Sequence, residues 1–171
     1  MNDSTLTLDT SVVLRLLVRD PLPAFRVASA LMEEHVRQGR RLAVPDLVLA
    51  EAYHALQHHY GFSKADALAA LHGFSAHPGI KVGPGAQKVL TLPNLASAKP
   101  GFVDRLIHGA CQAAGHTLIT FEKSARKLPG TLVLEASLPL DSREPSTAGK
   151  LASSAESVGE RRLREFPKPM I

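Results

Sequence analysis

The chain has 171 residues, of which 44% are hydrophobic and 21% are charged, a composition typical of a soluble globular protein with one ordinary domain. Lysine and arginine exceed aspartate and glutamate by 20 to 16, giving a net charge of +4 and an isoelectric point near 9.5, which permits a polyanionic partner without requiring one. The single cysteine excludes an internal disulfide framework.

The start of the chain does not resemble a signal peptide, because Asp3, Asp9, Arg15 and Arg19 interrupt any apolar core there. No window approaches the roughly 18 uncharged apolar residues of a membrane-spanning helix. With the lone cysteine, these features predict a cytoplasmic protein.

Short strands alternate with helices along most of the chain. In order, we expect a strand at 5–8, helices at 11–18 and 24–38, a strand at 42–44, helices at 45–60 and 64–75, a strand at 80–82, a turn at 83–85, helices at 86–92 and 101–115, a strand at 117–121, a helical turn at 123–127 and a strand at 131–134. This alternation predicts an α/β fold whose parallel sheet of about five short strands is covered by helices on both faces.

The composition changes near residue 141 to serine, alanine, glycine, proline and mixed charges with little apolar periodicity. We therefore expect a folded domain over residues 1–140 and a low-complexity tail over 141–171, disordered or dependent on a partner.

The first candidate site residue is Asp9, which follows the first expected strand. The carboxyl ends of strands are where open α/β sheets bind ligands. Thr10 or Ser11 is expected to cap the next helix. The alternative to a role for Asp9 in a ligand site is that Asp9 is only a helix cap.

Glu51 is the second candidate. The apolar stripe on its helix is expected to comprise Leu47, Val48, Ala52, Ala55 and Leu56. Glu51 lies four residues after Leu47 and four before Ala55, so we expect it on the buried side. A carboxylate there must be protonated, paired with a base or bound to a cation; a salt bridge or a place at the stripe's edge is the alternative.

Two further acids complete the set. Asp104 falls in the first turn of its helix, where the helix dipole alone explains an acid. Glu122 ends a strand or begins the helical turn after it.

All four acids can converge at one edge of the sheet. Two carboxylates about 4 Å apart repel by roughly 4 kcal/mol at an effective dielectric near 20. Such acids imply shifted protonation or a bound cation, and oxygen ligands suit Mg²⁺ or Mn²⁺. A cation site of this kind suits phosphodiester hydrolysis.

Four segments resemble the PIN-domain ribonucleases, specifically the toxins of bacterial VapBC-type toxin–antitoxin pairs. They are Leu8–Leu14, Val44–Glu51, Gly101–Ile107 and Leu118–Lys123. The resemblance spans roughly residues 6–134. It implies a PIN-like α/β sandwich with a central parallel sheet, endonucleolytic cleavage of RNA, inhibition by a small antitoxin protein, and a homodimer.

The resemblance also implies that Asp9, Glu51, Asp104 and Glu122 are the catalytic residues and the Mg²⁺ or Mn²⁺ ligands. Two positions depart from the family pattern. Ser11 replaces the usual asparagine and can still donate a hydrogen bond to Asp9, and Glu122 replaces the usual aspartate and is one methylene longer. Thr120 is expected to orient Glu122.

Several basic residues follow closely on the four acids and can neutralise RNA phosphates around the cleft. They are Arg15, Arg19, Arg105, Lys123, Arg126 and Lys127. For each, the alternative is a solvated helix face. Aromatic residues make up only 5% of the chain, so base stacking is not expected to dominate recognition.

Three other interpretations fit less well. A haloacid-dehalogenase-like phosphatase needs a second aspartate where Ser11 stands. A di-iron bundle would use Glu51 and His54 but needs a second such motif. A zinc site at His54, His58 and His59 has no further ligand set. The alternative from another class is a catalytically weakened PIN-like module that only binds RNA or protein, which the Glu122 replacement keeps open.

Overall fold

The computed structural model describes residues 6–135, which form a mixed α/β domain. The elements are α1 (Thr10–Val18), α2 (Leu22–Arg37), β1 (Leu42–Val44), α3 (Asp46–His58), α4 (Lys64–Ser75), β2 (Ile80–Val82), α5 (Pro84–Leu90), α6 (Phe102–Ala113), β3 (Leu118–Thr120), a 3₁₀ helix (Lys123–Lys127) and β4 (Thr131–Val133). The predicted α/β class is confirmed, and most predicted elements agree to within two residues. The predicted tail at 141–171 lies outside the described residues and stays a prediction.

β1 and β2 form a parallel pair in which Leu42 is opposite Ile80 and Val44 opposite Val82. The predicted first strand is reduced to a single parallel bridge between Thr7 and Ala43. Two hydrogen bonds hold it, from the Leu8 amide to the Ala43 carbonyl (2.9 Å) and from the Ala43 amide to the Leu6 carbonyl (2.8 Å). Asp9 follows this bridge directly.

β3 and β4 form a second parallel pair, with Ile119 opposite Leu132. No hydrogen-bonded strand joins the two pairs within residues 6–135, so the prediction of one sheet of about five strands is wrong in size. The predicted cover on both faces also fails here, since Ile119 is 60% exposed and Leu132 51%. Three-residue strands reveal their own position by sequence pattern, but the pattern does not specify which neighbour each pairs with.

The core lies around the first pair of strands. On α3 the buried positions are Leu49, Ala52, Tyr53 and Leu56, the spacing of one face of a helix. This face differs from the predicted stripe, because Leu47 is 79% exposed. The α3 face packs with buried residues from the other helices, among them Leu71 of α4 and Phe102 of α6.

Asp46 joins the start of α3 to the start of α5. Its carboxylate accepts hydrogen bonds from the amides of Gly85 (3.1 Å) and Ala86 (2.9 Å). A Cβ atom on Gly83 or Gly85 would lie only 2.2 or 2.3 Å from this carboxylate. The predicted turn at 83–85 is instead the start of α5, which Gly83 caps and Pro84 begins. No helix within residues 6–135 has both the length and the apolar character required to cross a bilayer.

Candidate active site

Asp9 caps α1. Its Oδ1 atom accepts hydrogen bonds from the Val12 amide (3.0 Å) and the Ser11 hydroxyl (2.9 Å), so the prediction that Thr10 or Ser11 is the cap is wrong. The Ser11 bond is the one expected from the sequence. These two donors, the Val12 amide foremost, lower the pKa of Asp9. No side chain among residues 6–135 hydrogen-bonds to Oδ2, and the residue is exposed, so the ionised carboxylate has one oxygen available.

Glu51 lies beside this acid. Its Oε2 atom accepts a hydrogen bond of 2.5 Å from the Thr10 hydroxyl, and Thr10 is the residue next to Asp9. The predicted burial of Glu51 is wrong, because the true apolar face of α3 leaves Glu51 exposed on the same side as Leu47. Glu51 therefore carries no large desolvation cost and needs no buried counterion.

Asp104 occupies the first turn of α6, where its Oδ2 atom accepts a hydrogen bond from the Gly101 amide (3.1 Å). The side chain is exposed. Its charge reaches Tyr53 of α3, since burial and then the Asp104 carboxylate raise the pKa of the Tyr53 hydroxyl. The Tyr53 ring also packs edge-on against Phe102, with centroids 5.2 Å apart. α3 and α6 thus hold Glu51 and Asp104 on helices that pack together.

Glu122 caps the 3₁₀ helix. Its Oε1 atom accepts a hydrogen bond from the Ser124 amide (2.9 Å). Ser124 is the main cause of the lowered pKa of Glu122, and the positive charge of Lys99 adds to it. Thr120 acts on the main chain, because its hydroxyl accepts a hydrogen bond from the Glu122 amide (3.0 Å). It fixes the backbone at Glu122 without touching the carboxylate.

The four acids lie as two pairs. Asp9 and Glu51 are linked through Thr10, whereas Asp104 and Glu122 line the same cavity of about 420 Å³. Within residues 6–135 no three metal-ligating side chains come together, so the predicted convergence of all four acids is not seen. The reason is that β3 and β4 are not joined to β1 and β2, so the strand ends do not form one edge.

Asp9, Asp104 and Glu122 share one arrangement. Each accepts an amide hydrogen bond at the start of a helix through one carboxylate oxygen. In the described part of the chain neither they nor Glu51 forms an ion pair. Mg²⁺ is commonly held by one or two carboxylates together with substrate phosphates, so exposed acid pairs of this kind suit a hard divalent cation. Within residues 6–135, His54, His58 and His59 do not form a group of three metal-ligating side chains either.

Three of the predicted RNA-contacting residues make contacts within the fold. Arg15 donates to the Asp20 carbonyl and to the Tyr60 hydroxyl, both at 3.0 Å. Arg105 donates to the Pro100 carbonyl (2.9 Å), and Arg126 pairs with Glu135.

The remaining basic residues differ in their surroundings. The Arg19 guanidinium lies 5.5 Å from the centre of the Phe25 ring. Lys123 and Lys127 are exposed on the 3₁₀ helix. An RNA contact by any of the six basic residues stays a prediction.

Two lysines that the sequence analysis did not select line the cavity beside Asp104 and Glu122. They are Lys64, the first residue of α4, and Lys99, which directly precedes Pro100 and the start of α6. Lys99 precedes Asp104 and Lys64 is far along the chain from all four acids, whereas the predicted RNA-contacting residues each follow closely on one of the acids. Their position just before or at helix starts was the signal that could have identified them.

Comparison with known proteins gives a family. A search of curated proteins found no match. Among solved structures, the VapBC2 complex from Rickettsia felis, bound to a DNA fragment from its promoter, shares 16% identity over 77% of this chain and 98% of that chain, with a TM-score of 0.33, a likeness too distant to support an argument. The PIN-domain family model matches residues 6–130, and PIN domains are generally metal-dependent nucleases. Because this match covers most of the sequence, the chain belongs to the PIN-domain family.

Proposed function

We propose that this protein is an endoribonuclease that uses Mg²⁺ or Mn²⁺ to hydrolyse RNA phosphodiester bonds. The observation that carries the proposal is the arrangement of Asp9, Asp104 and Glu122, each fixed at a helix start by an amide hydrogen bond. This hydrogen bond restricts the rotamer of each acid and leaves its other oxygen for a cation. Family membership supports the same chemistry.

In this proposal Asp104 and Glu122 hold a cation on one side, and Asp9 and Glu51 contribute on the other. A bound divalent cation supplies Lewis-acid stabilisation of the phosphodiester and lowers the pKa of an attacking water. The chain's own task is to present ionised carboxylates in fixed positions. The Ser11 and Thr10 hydroxyls orient Asp9 and Glu51. The Val12 amide lowers the pKa of Asp9, and the side chain and amide of Ser124 lower the pKa of Glu122, which favours the ionised form of both acids.

The direct test is cleavage of a labelled RNA by the purified full chain. We expect cleavage that requires Mg²⁺ or Mn²⁺ and stops with EDTA. Asp9→Asn and Asp104→Asn should each lower the rate by roughly 100-fold or more, because a catalytic cation stabilises the transition state by several kcal/mol. Asp66→Asn is the matched control, since Asp66 is also a first-turn acid, paired with the Ser63 hydroxyl of its own helix cap. Equal residual cleavage by all four proteins would contradict the proposal.

We further infer that the enzyme is the toxin of a toxin–antitoxin pair, acting in the cytoplasm as a homodimer that a small antitoxin protein inhibits. The support is the resemblance of four sequence segments to such toxins. Expression of the chain alone should arrest growth, and co-expression of a small protein from a neighbouring reading frame should restore it. Sedimentation of the purified chain tests the homodimer. Growth unaffected by the active enzyme would indicate a PIN nuclease with another role.

A second candidate is a PIN-like module that binds RNA or protein without cutting it. Two observations favour it: no three metal ligands come together within residues 6–135, and Glu122 replaces the aspartate usual in the family. The cleavage assay separates the two candidates. If the protein is only a binding module, the wild-type chain binds RNA but cleaves it no faster than Asp104→Asn does.

A further inference from the structure

Lys64 and Lys99 lie in the half of the candidate site that contains Asp104 and Glu122. The proposed nuclease function gives neither lysine a role. Both line the 420 Å³ cavity that Asp104 and Glu122 share. Its volume falls within the range of about 300 to 1,000 Å³ that is typical of ligand pockets. It is therefore large enough to take more than an ion.

The position of Lys64 is defined relative to the start of α6. A methyl group added to Gly101 would lie 3.6 Å from the Lys64 ammonium and 3.7 Å from Oδ2 of Asp104. The ammonium and the carboxylate therefore approach the same point at the mouth of α6. Lys64 itself is half-buried.

Lys99 lines the same cavity wall as the other acid, since Lys99, Glu122 and Ser124 all border this cavity. Neither lysine forms a hydrogen bond or an ion pair with any residue between 6 and 135. All three N–H donors of each ammonium are thus available to a ligand.

We propose that Lys64 and Lys99 bind a phosphate group of the RNA strand in this cavity and position the strand against Asp104 and Glu122. The proposal rests on the proposed nuclease function. Two ammonium groups beside a pair of metal-binding acids weaken cation binding by like-charge repulsion, so they are a cost to a site that holds only a cation. They become favourable once a polyanion enters, because the phosphate attracts the ammonium groups and the cation together.

The other explanation is that the two lysines only balance the charge of the acids. The two explanations predict opposite results for Lys64→Ala and Lys99→Ala. If the lysines bind phosphate, each variant weakens RNA binding and raises KM by a larger factor than it lowers kcat. If they only balance charge, each variant tightens Mn²⁺ binding and leaves RNA binding as it was.

The experiment measures binding of a fluorescent single-stranded RNA to the full chain in EDTA, over a series of salt concentrations. For each alanine variant we expect the slope of log affinity against log salt to fall by roughly 0.7, the value for one phosphate contact on a single strand. Lys64→Arg and Lys99→Arg should restore most of the slope. Lys81→Ala is the control, since Lys81 is exposed on β2 and lines a cavity that contains none of the predicted RNA-contacting residues.

Unchanged slopes in both alanine variants would overturn the proposal, whether or not the protein cleaves RNA. Tighter Mn²⁺ binding with unchanged slopes would establish charge balance in its place. If the wild-type protein binds RNA with the expected lysine dependence but does not cleave it with Mg²⁺ or Mn²⁺, the nuclease function fails and the phosphate site stands. If the wild-type protein does not bind RNA at all, both proposals fail.

Discussion

The two pairs of strands have the same length and the same parallel pairing, yet they differ in what covers them. Leu42, Val44, Ile80 and Val82 of β1 and β2 are all buried, whereas β3 and β4 contain no buried residue. The buried residues of the first pair pack in the same hydrophobic core as the helices, whereas the second pair exposes Ile119 and Leu132. The buried residues of the first pair share one face, while Lys81 on the other face is exposed. A parallel pair therefore becomes part of the core once helices cover one of its faces, and β3 and β4 lack even that cover.

The candidate site is divided between these regions. Asp9 and Glu51 extend from the well-packed region, where α1 and α3 contact each other. Glu122 follows β3 in the lightly packed region, and Asp104 lies on α6, which contacts α3, α5 and β3. Substitutions that leave the acids intact should therefore affect stability very differently in the two regions.

The largest stability difference is expected between two leucines. Leu56→Ala removes a fully buried side chain of α3 and should lower the free energy of unfolding by about 2 to 5 kcal/mol. Leu132→Ala removes a side chain that is half exposed on β4 and should change it by less than about 1 kcal/mol. Urea unfolding of both variants measures the difference, and equal losses would mean that β3 and β4 are packed as tightly as the core.

Gly85→Ala should have the next largest effect. The added Cβ would lie 2.3 Å from Oδ2 of Asp46, so the link between α3 and α5 must shift, at a cost of about 1 to 3 kcal/mol. Gly73→Ala is the matched control, because nothing lies within 4 Å of the new Cβ on α4. There alanine should stabilise the helix by about 0.5 to 1 kcal/mol. Thermal unfolding should shift in opposite directions for the two variants.

Asp9→Ala and Asp9→Asn separate the cap of α1 from the charge. Alanine cannot accept the Val12 amide hydrogen bond and should cost about 1 kcal/mol of stability, whereas asparagine caps about as well as aspartate. Both should lose cleavage activity. A variant Asp9→Asn that is as active as the wild type would show that Asp9 is a cap and nothing more.

The smallest effect is expected from pH. Because the folded-state pKa of Asp9 is lowered by the Val12 amide and the Ser11 hydroxyl, its stabilising contribution is present above the pKa of the unfolded chain. It is lost as pH falls through the lowered folded-state value. Ser11→Ala should therefore raise the pKa of Asp9 and leave that of Glu122 unchanged, as NMR titration of the carboxyl carbons can measure. An unchanged Asp9 pKa would mean that the Ser11 bond contributes nothing.

Much of the domain could be predicted from sequence because its signals are local. The bounds of β1 and β2, the bounds of α4 and the position of Asp104 in a first turn all follow from residues within a few positions. The pairing of β3 with β4 alone, and the exposure of Glu51, depend on contacts between distant segments. On α3 a shift of the apolar face from Leu47 to Leu49 was enough to reverse the predicted burial of Glu51.

The candidate site shows the same limit. The sequence selected four acids and the Ser11 hydrogen bond, since these lie at or beside element ends. It did not select Lys64 and Lys99, which reach the cavity from a helix start and a loop. Nor did it show that the acids lie as two pairs, because that depends on how the two sheets meet.

The central claim is that the acids at the helix starts hold a divalent cation. Mn²⁺ titration of the full chain tests this claim most directly. The paramagnetic effect of bound Mn²⁺ on water relaxation reports binding without any RNA. We predict binding by the wild type and by Asp66→Asn, and loss of binding in a variant with both Asp104→Asn and Glu122→Gln, which keeps a capping side chain at both positions. Equal Mn²⁺ binding by this double variant and the wild type would contradict the account.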